Sequence, residues 1–565
     1  MRVRLIRLWA LVAALSVSQA ALGVPAAFAG DAAAFAPSAV STNPNNIAPT
    51  VATAPHEDVE MFGKPRMSVG HPNTIWDEED IRQYKQMLKT SAELRQQLSE
   101  LEKRMDARIG EPIDIPPPQK GSDGAWLYPG NYFPDFPGRQ HTDDPVRKFS
   151  WFFDRDSEAI DALGILYALT DNEKYARYAR DLLLAYANLP RYGASPSIMY
   201  RWEKGLTGQI LEDSLDLELL ARGYDLIYNT PSLSPADRKR IHDELLQPLA
   251  WVMLYPTVVE QDPSARFASM LNNRGAIGAA AVLLAGYATD DQELVNAALY
   301  GTRTTLAKNE APRYKQFPPP KDWVAATADN PSKGLLTLYF TPEAIPGGMW
   351  VEGSPGYCLY ALHGLVNAAE AAWRHGIDLY RYNDSILKYV FDFPLLIAYP
   401  NLRIAGENDS HLLWLSQLYF PAIYEYGYRR YRDPRYLAII DAPDERGFPA
   451  TKTGGEPGQK AVTSRSRPLI HPWLAPAPPP FMFNDPHEKA PPLSFPNVNF
   501  PTVGFGVLRT PASNGSGIAN LTLSYGPTVS HGHPDRLHID LWALDDILMP
   551  SPGVQFPYDN PLDVK

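Results

Sequence analysis

The sequence predicts a multidomain α+β protein: a long helical body followed by an antiparallel β domain. Three observations predict it. Residues 67–435 repeat apolar side chains at spacings of three and four, residues 452–500 are crowded with proline and glycine, and short β-rich runs follow between Val503 and Leu548. At 565 residues the chain also exceeds one ordinary core.

Taken in order, residues 1–29 have the form of a secretory signal peptide. Arg2, Arg4 and Arg7 precede the apolar run Leu8 to Ala21, and Ala27-Phe-Ala29 fits a small-residue cleavage site. The run is short for a membrane span. A periplasmic or secreted location and no membrane partner are the expectations. Residues 30–66, rich in Ala, Ser, Pro and Asn, read as a disordered or wrapping leader. The helical body, 67–451, has helical spacing over Ser157 to Thr170, Lys174 to Leu189, Leu211 to Tyr228, Asp237 to Met253, Asn273 to Thr289, Gln292 to Asn309, Gly356 to His375 and Ser385 to Ile397. Turns such as Thr170-Asp-Asn-Glu173 and Thr289-Asp-Asp-Gln292 place acids where helices start. Serial helical hairpins without a fixed period fit an α-solenoid or an α/α toroid. Residues 452–500 read as an extended linker. Strands are expected over Val503 to Thr510, Ile518 to Tyr525 and Leu537 to Leu548, a set too small to close a sandwich by Lys565. The chain therefore reads as a fragment, or its sheet is completed elsewhere.

Composition narrows the function classes. A net charge of −12, moving to −15 once the arginines of the leader peptide are removed, disfavours bulk nucleic-acid binding. The single cysteine, Cys358, excludes an intrachain disulfide.

Three segments carry residues suited to chemistry. His531-Gly-His533-Pro-Asp535-Arg-Leu-His538 places three of twelve histidines within eight positions, and His531 and His533 share a face if the backbone is extended. The competing reading is a polar turn with solvated histidines, and two ligands are a weak zinc signal. Leu271-Asn272-Asn273-Arg274-Gly275 heads a helix, where amides and a guanidinium suit a carboxylate, although Asn is also an ordinary N-cap. Trp350-Val-Glu352-Gly-Ser-Pro-Gly-Tyr357 follows a Gly-Gly turn. Trp350 can stack on a sugar and Tyr357 can act as acid or base, unless Tyr357 and Tyr360 simply pack at helical spacing. Gly406-Glu-Asn-Asp-Ser410 and Tyr424, Tyr426, Tyr428, Arg429 and Arg430 read as loop and helix surface.

In this order, the segments resemble the heparinase II/III and alginate lyase superfamily of polysaccharide lyases, the oligoalginate lyases most of all. His71-Pro-Asn, Gly208-Gln209-Ile-Leu-Glu212 and Ala221-Arg-Gly-Tyr224-Asp225 join the three segments above in carrying the resemblance. It implies an N-terminal α/α toroid, an incomplete α/α barrel, followed by an antiparallel β-sandwich whose start occupies 501–565. It also implies β-elimination on a uronate-containing glycan, so the expected partner is an acidic polysaccharide or oligosaccharide. By the same resemblance Asn273 binds the uronate carboxylate with Arg274 assisting, Tyr357 protonates the leaving O4 and is also a candidate base, and His531 is base or charge partner. Gln209, Trp350 and Glu352 are implied sugar contacts, and His533 a ligand of a structural zinc.

The chain departs from the pattern at four places. Arg274 stands in the family's histidine position and cannot serve as a base at neutral pH. Cys358 follows Tyr357 where histidine is common. Ser551 stands near the expected aspartate ligand of zinc, and the third ligand, a histidine, would lie beyond Lys565. A heparan-type glycosaminoglycan lyase is the second expectation. A glycoside hydrolase using Glu352 with Glu407 or Asp409 and a non-catalytic glycan-binding protein are the rivals.

Overall fold

The computed structural model describes residues 63–113, 115, 119–120, 126–127, 145–189, 210–254, 267–305, 321–410, 414–416, 420–442, 489–511, 518–526, 537–544 and 546–549. They belong to one compact unit, Ala48–Lys565, which is mostly helical with small antiparallel sheets. Among them no helix is long and apolar enough to cross a membrane.

Helices α1 (Glu78–Thr90) and α2 (Ala92–Ile109) open the body. The two-stranded ribbon β1 (Gln119–Lys120) and β2 (Trp126–Leu127) follows. Then come α3 (Pro145–Thr170), α4 (Glu173–Ala187), α5 (Ile210–Leu226), α6 (Pro235–Ile241), a π turn at His242–Leu246, and α7 (Gln247–Met253). Next are α8 (Asn273–Ala288), α9 (Gln292–Tyr300) and a second ribbon of β3 (Thr302–Thr304) and β4 (Trp323–Ala325). The body ends with α10 (Pro355–Trp373), α11 (Tyr382–Ile397), α12 (Phe420–Tyr431) and α13 (Leu437–Ile440).

The helices α3, α5, α8 and α10 pack side by side in chain order. Glycine lets them approach: a Cβ on Gly223 of α5 would lie 2.6 Å from Ile160 of α3, and one on Gly364 of α10 would lie 2.9 Å from Ile277 of α8. Buried ion pairs tie the outer helices to them. Asp80 of α1 accepts from Arg374 and Arg429, and Glu370 of α10 accepts from Arg374, Arg430 and the Tyr380 hydroxyl. Those guanidinium groups hold the Glu370 carboxyl down at about 2 against the opposing effect of burial.

The segment at 63–74 is held across the helices. Its His71 Nδ1 lies 2.6 Å from Asp225 of α5, Nε2 lies 3.1 Å from Asp290, and the ring stacks on Tyr228 at 3.6 Å. Asp225 also accepts from the Asn73 and Thr74 amides at 2.8 Å each. The His71–Pro72 peptide is cis.

A five-stranded antiparallel sheet ends the described chain, in the order β5 (Val498–Phe500), β6 (Phe505–Pro511), β7 (Ile518–Ser524), β8 (His538–Ala543) and β9 (Asp546–Met549). Cross-strand register puts Val507, Arg509, Asn520, Thr522, Asp540 and Trp542 on one buried face. That face meets the helical body. Phe393 packs on Phe500, Trp542 stacks on Tyr399 at 6.2 Å, and the Arg509 guanidinium donates to Leu396 O at 2.7 Å.

Four expectations need correction. The helix expected over Gln292 to Asn309 stops at Tyr300, because Gly301 takes φ 85° and turns the chain into β3. The single strand expected over Leu537 to Leu548 is a hairpin, turned at Leu544 with φ 58°. The sheet begins inside the stretch read as linker, since Val498–Phe500 already pairs with β6. The patches read as surface are interior: Glu407, Ser410, Tyr424, Tyr426, Tyr428, Arg429 and Arg430 are all buried, with the arginines matched by Asp80 and Glu370.

Candidate active site at the paired starts of two helices

The Asn-Asn-Arg-Gly segment starts α8. Asn272 is extended, and its side chain caps the helix by accepting from the Gly275 amide at 2.9 Å. Gly275 has no room for a side chain: a Cβ would lie 2.1 Å from Met270 O and 2.4 Å from the Tyr339 hydroxyl. That hydroxyl is within hydrogen-bond reach of Ala268 O and Met270 O, which fixes the turn before the cap.

Asn273 points inward. Its backbone amide donates to Glu352 Oε2 at 2.6 Å, and its side-chain amide donates to the same carboxylate at 2.9 and 3.0 Å. Trp350 Nε1 donates to it as well, at 2.7 Å. All three residues are within 2 % of complete burial. Trp350 and Glu352, expected as sugar contacts, and Asn273, expected at the uronate carboxylate, are thus engaged with one another in the interior. These side chains brace the helix start from behind. The same burial counts against Glu352 as one of two hydrolase carboxylates, since it already accepts three N–H groups inside the protein.

Beyond Glu352 the chain turns at Gly353, φ 73°, and enters α10. The loop 404–410 holds this start. Asn408 Nδ2 donates to Gly353 O at 2.7 Å, and the Gly356 amide donates to Ser410 Oγ at 2.9 Å. Tyr357, in the first turn, is partly exposed, and so is Arg274 in the first turn of α8. Cys358 is fully buried, and burial pushes its thiol up to about 12, so it is an inert core residue.

The starts of α8 and α10 thus lie at one end of the body, joined through Glu352. Helix starts carry partial positive charge, and Arg274 adds a full one. Such an end favours a carboxylate ligand, with a phenol beside it able to exchange a proton.

Of the other sequence candidates, His531, His533 and Gln209 lie outside the described residues. Strand β8, which begins at His538, runs beside the loop 404–410 through the Tyr399–Trp542 stack. Sequence reasoning missed Asn408 and Ser410 as the residues that hold the α10 start. Their signal was the polar run Gly406 to Ser410, which was read as surface because nothing local shows that a loop will be roofed by a sheet.

Residues 138–312 match the alginate lyase family model. An exo-oligoalginate lyase of Saccharophagus degradans is 28 % identical over 237 residues, 42 % of this chain and 28 % of that protein. An alginate lyase of Stenotrophomonas maltophilia is 34 % identical over 151 residues, 26 % of this chain and 19 % of that protein. The matches therefore span less than a third of these relatives. Among solved structures, a heparan sulfate lyase of Pedobacter heparinus is similar with a TM-score of 0.41 at 14 % identity, covering 86 % of this chain and 67 % of that one. Alginate lyase A1-III of a Sphingomonas species gives 0.34 at 19 % identity, over 57 % of this chain and 81 % of that one.

Proposed function

We propose that this chain is a polysaccharide lyase of the alginate lyase and heparinase-type superfamily, cleaving a uronate-containing glycan by β-elimination. The observation that carries the reading is that Arg274 and Tyr357, both partly exposed, stand in the first turns of α8 and α10, with buried Glu352 bonded to the start of α8 and standing just ahead of α10. Alginate and its oligomers stand first, supported by the sequence relatives. A heparan-type glycosaminoglycan is second.

The elimination has three requirements. The uronate carboxylate must be neutralised so that the C5 proton becomes acidic. Arg274 supplies a bidentate cation for this, with the two helix starts behind it. A base must take the C5 proton, and His531 is assigned that role. The electron pair then forms the C4–C5 double bond as the C4–O4 bond breaks, and Tyr357 gives its proton to the departing O4. Asn273, Glu352 and Trp350, bonded to one another, position Arg274 from behind.

We also propose an α/α toroid with a sandwich on its open side, supported by the chain-order packing of α3, α5, α8 and α10. Export is proposed from the basic and apolar character of residues 1–29. A structural zinc at His533 remains part of the proposal, and no chemical step passes through it.

A panel of uronate polymers and oligomers, followed by ultraviolet absorbance, tests the reading. Elimination leaves a conjugated unsaturated uronate, whereas hydrolysis leaves none. Tyr357→Phe is expected to abolish the absorbance while substrate still binds. Normal turnover in that variant, or reducing sugar released without absorbance in the parent protein, would end the proposal.

A further inference from the structure

Where the sheet meets the helical body, three metal-ligating side chains converge outside the machinery described above. Glu407 belongs to the loop 404–410 and is 2 % exposed. His538 and Asp540 stand at i, i+2 on β8 and so face the same side of the sheet. Asp540 is fully buried, and the His538 side chain is 26 % exposed. One ligand atom from each lies within 4.8 Å of the other two, and His538 Nε2 is 3.8 Å from Asp540 Oδ2. Ligands around one zinc at about 2 Å stand roughly 3–4 Å apart, so the three need only small side-chain adjustments to share an ion.

The surroundings fit a cation. Two buried carboxylates this close repel each other, and a divalent ion neutralises both. On the same sheet face, Asn520 Oδ1 is buried and accepts no hydrogen bond from the described protein, which suits it to a metal-bound water.

We infer that Glu407, His538 and Asp540 form a divalent-metal site that fastens the loop capping α10 to strand β8. The mixed donor set favours zinc, with manganese next. Calcium, which takes oxygen ligands, is disfavoured by the imidazole. The site shares no residue with the zinc position that the family resemblance gives to His533. It stands independently of the lyase reading, because its test measures metal and stability and no turnover.

The full chain is to be purified with zinc, dialysed, and assayed for bound metal by mass spectrometry and for Tm with and without a chelator. The expected result is a chelator-sensitive Tm restored by zinc. Relative to the parent, His538→Gln and Glu407→Gln each lose one equivalent of zinc per chain and that part of the Tm response. His533→Gln keeps the metal held by Glu407, His538 and Asp540, so adding His538→Gln to it removes one further equivalent. His538 is the most exposed of the three ligands, so His538→Gln keeps the test open if Glu407→Gln does not fold. A parent protein that binds no zinc, or a His538→Gln variant with undiminished zinc, overturns the inference.

Discussion

Three N–H groups converge on Glu352: the amide and side chain of Asn273 and the indole of Trp350. A carboxylate only accepts, and these three groups donate to it. Glu352→Gln replaces one acceptor oxygen by a donor, which faces another donor and breaks at least one of these bonds. An unsatisfied buried donor costs about 1–3 kcal/mol, and the start of α8 shifts with it. Arg274 then moves relative to Tyr357, and displacements near 1 Å lower rates on the order of 100-fold. The expected outcome is a kcat lowered roughly 10–100-fold with a smaller rise in KM, read from steady-state kinetics on the best substrate of the panel. Arg274→Ala is expected to do more to KM, because it removes the carboxylate contact itself. Equal effects of both variants on KM would place Glu352 at the substrate. The motif residues were legible in the sequence, but their roles were not. Asn273 and Arg274 are adjacent in the chain, and only the position of Glu352, 79 residues away, decides which of them faces inward.

At the scale of elements, His71 fastens the segment before α1 to α5 and to the turn before α9. Burial alone would lower its pKa, but the hydrogen bonds and charges of Asp225 and Asp290 outweigh burial and raise it. The sign follows from linkage. A histidine whose folded value exceeds the unfolded 6.5 contributes stability that is complete below that value and is lost as pH rises through the folded one. The Tm advantage of the parent over His71→Gln is therefore expected to be largest near pH 6 and to shrink by about pH 9, measured by thermal melts across that range. A pH-independent difference would reduce His71 to packing on Tyr228. The two segments of this clamp, His71-Pro-Asn and Tyr224-Asp225, stand out in the sequence, yet their contact spans 154 positions and no local pattern announces it. Helix spans were legible to within a few residues where apolar spacing was continuous, as over Leu211 to Tyr228 against the observed Ile210–Leu226. Element bounds failed where one backbone angle decided the outcome, for a helix at Gly301 and for a strand at Leu544.

At the scale of the molecule, the change from helical to β texture was readable, but the way the sheet roofs the loops after α11 was not. That contact depends on Arg509, which in sequence is one charged residue in an apolar strand. In the structure it is 6 % exposed and burial pulls its pKa down to about 10. Its guanidinium donates to Leu396 O at 2.7 Å and Ala398 O at 3.1 Å, the closing carbonyls of α11, and to Pro496 O. A helix end presents partial negative charge, so the planar fork satisfies carbonyls that would otherwise be buried without donors. Lysine has the charge without the fork. Arg509→Met is expected to cost about 2–4 kcal/mol by leaving those carbonyls unpaired, and Arg509→Lys is expected to recover less than half of that. Denaturant melts measure both. Because β6 shares one sheet with β8, β8 lies near Glu407 of the loop 404–410, and that loop holds the start of α10, kcat is expected to fall with stability in both variants. Full activity in a destabilised Arg509→Met protein would mean that the sheet's seat on the body has no bearing on Tyr357.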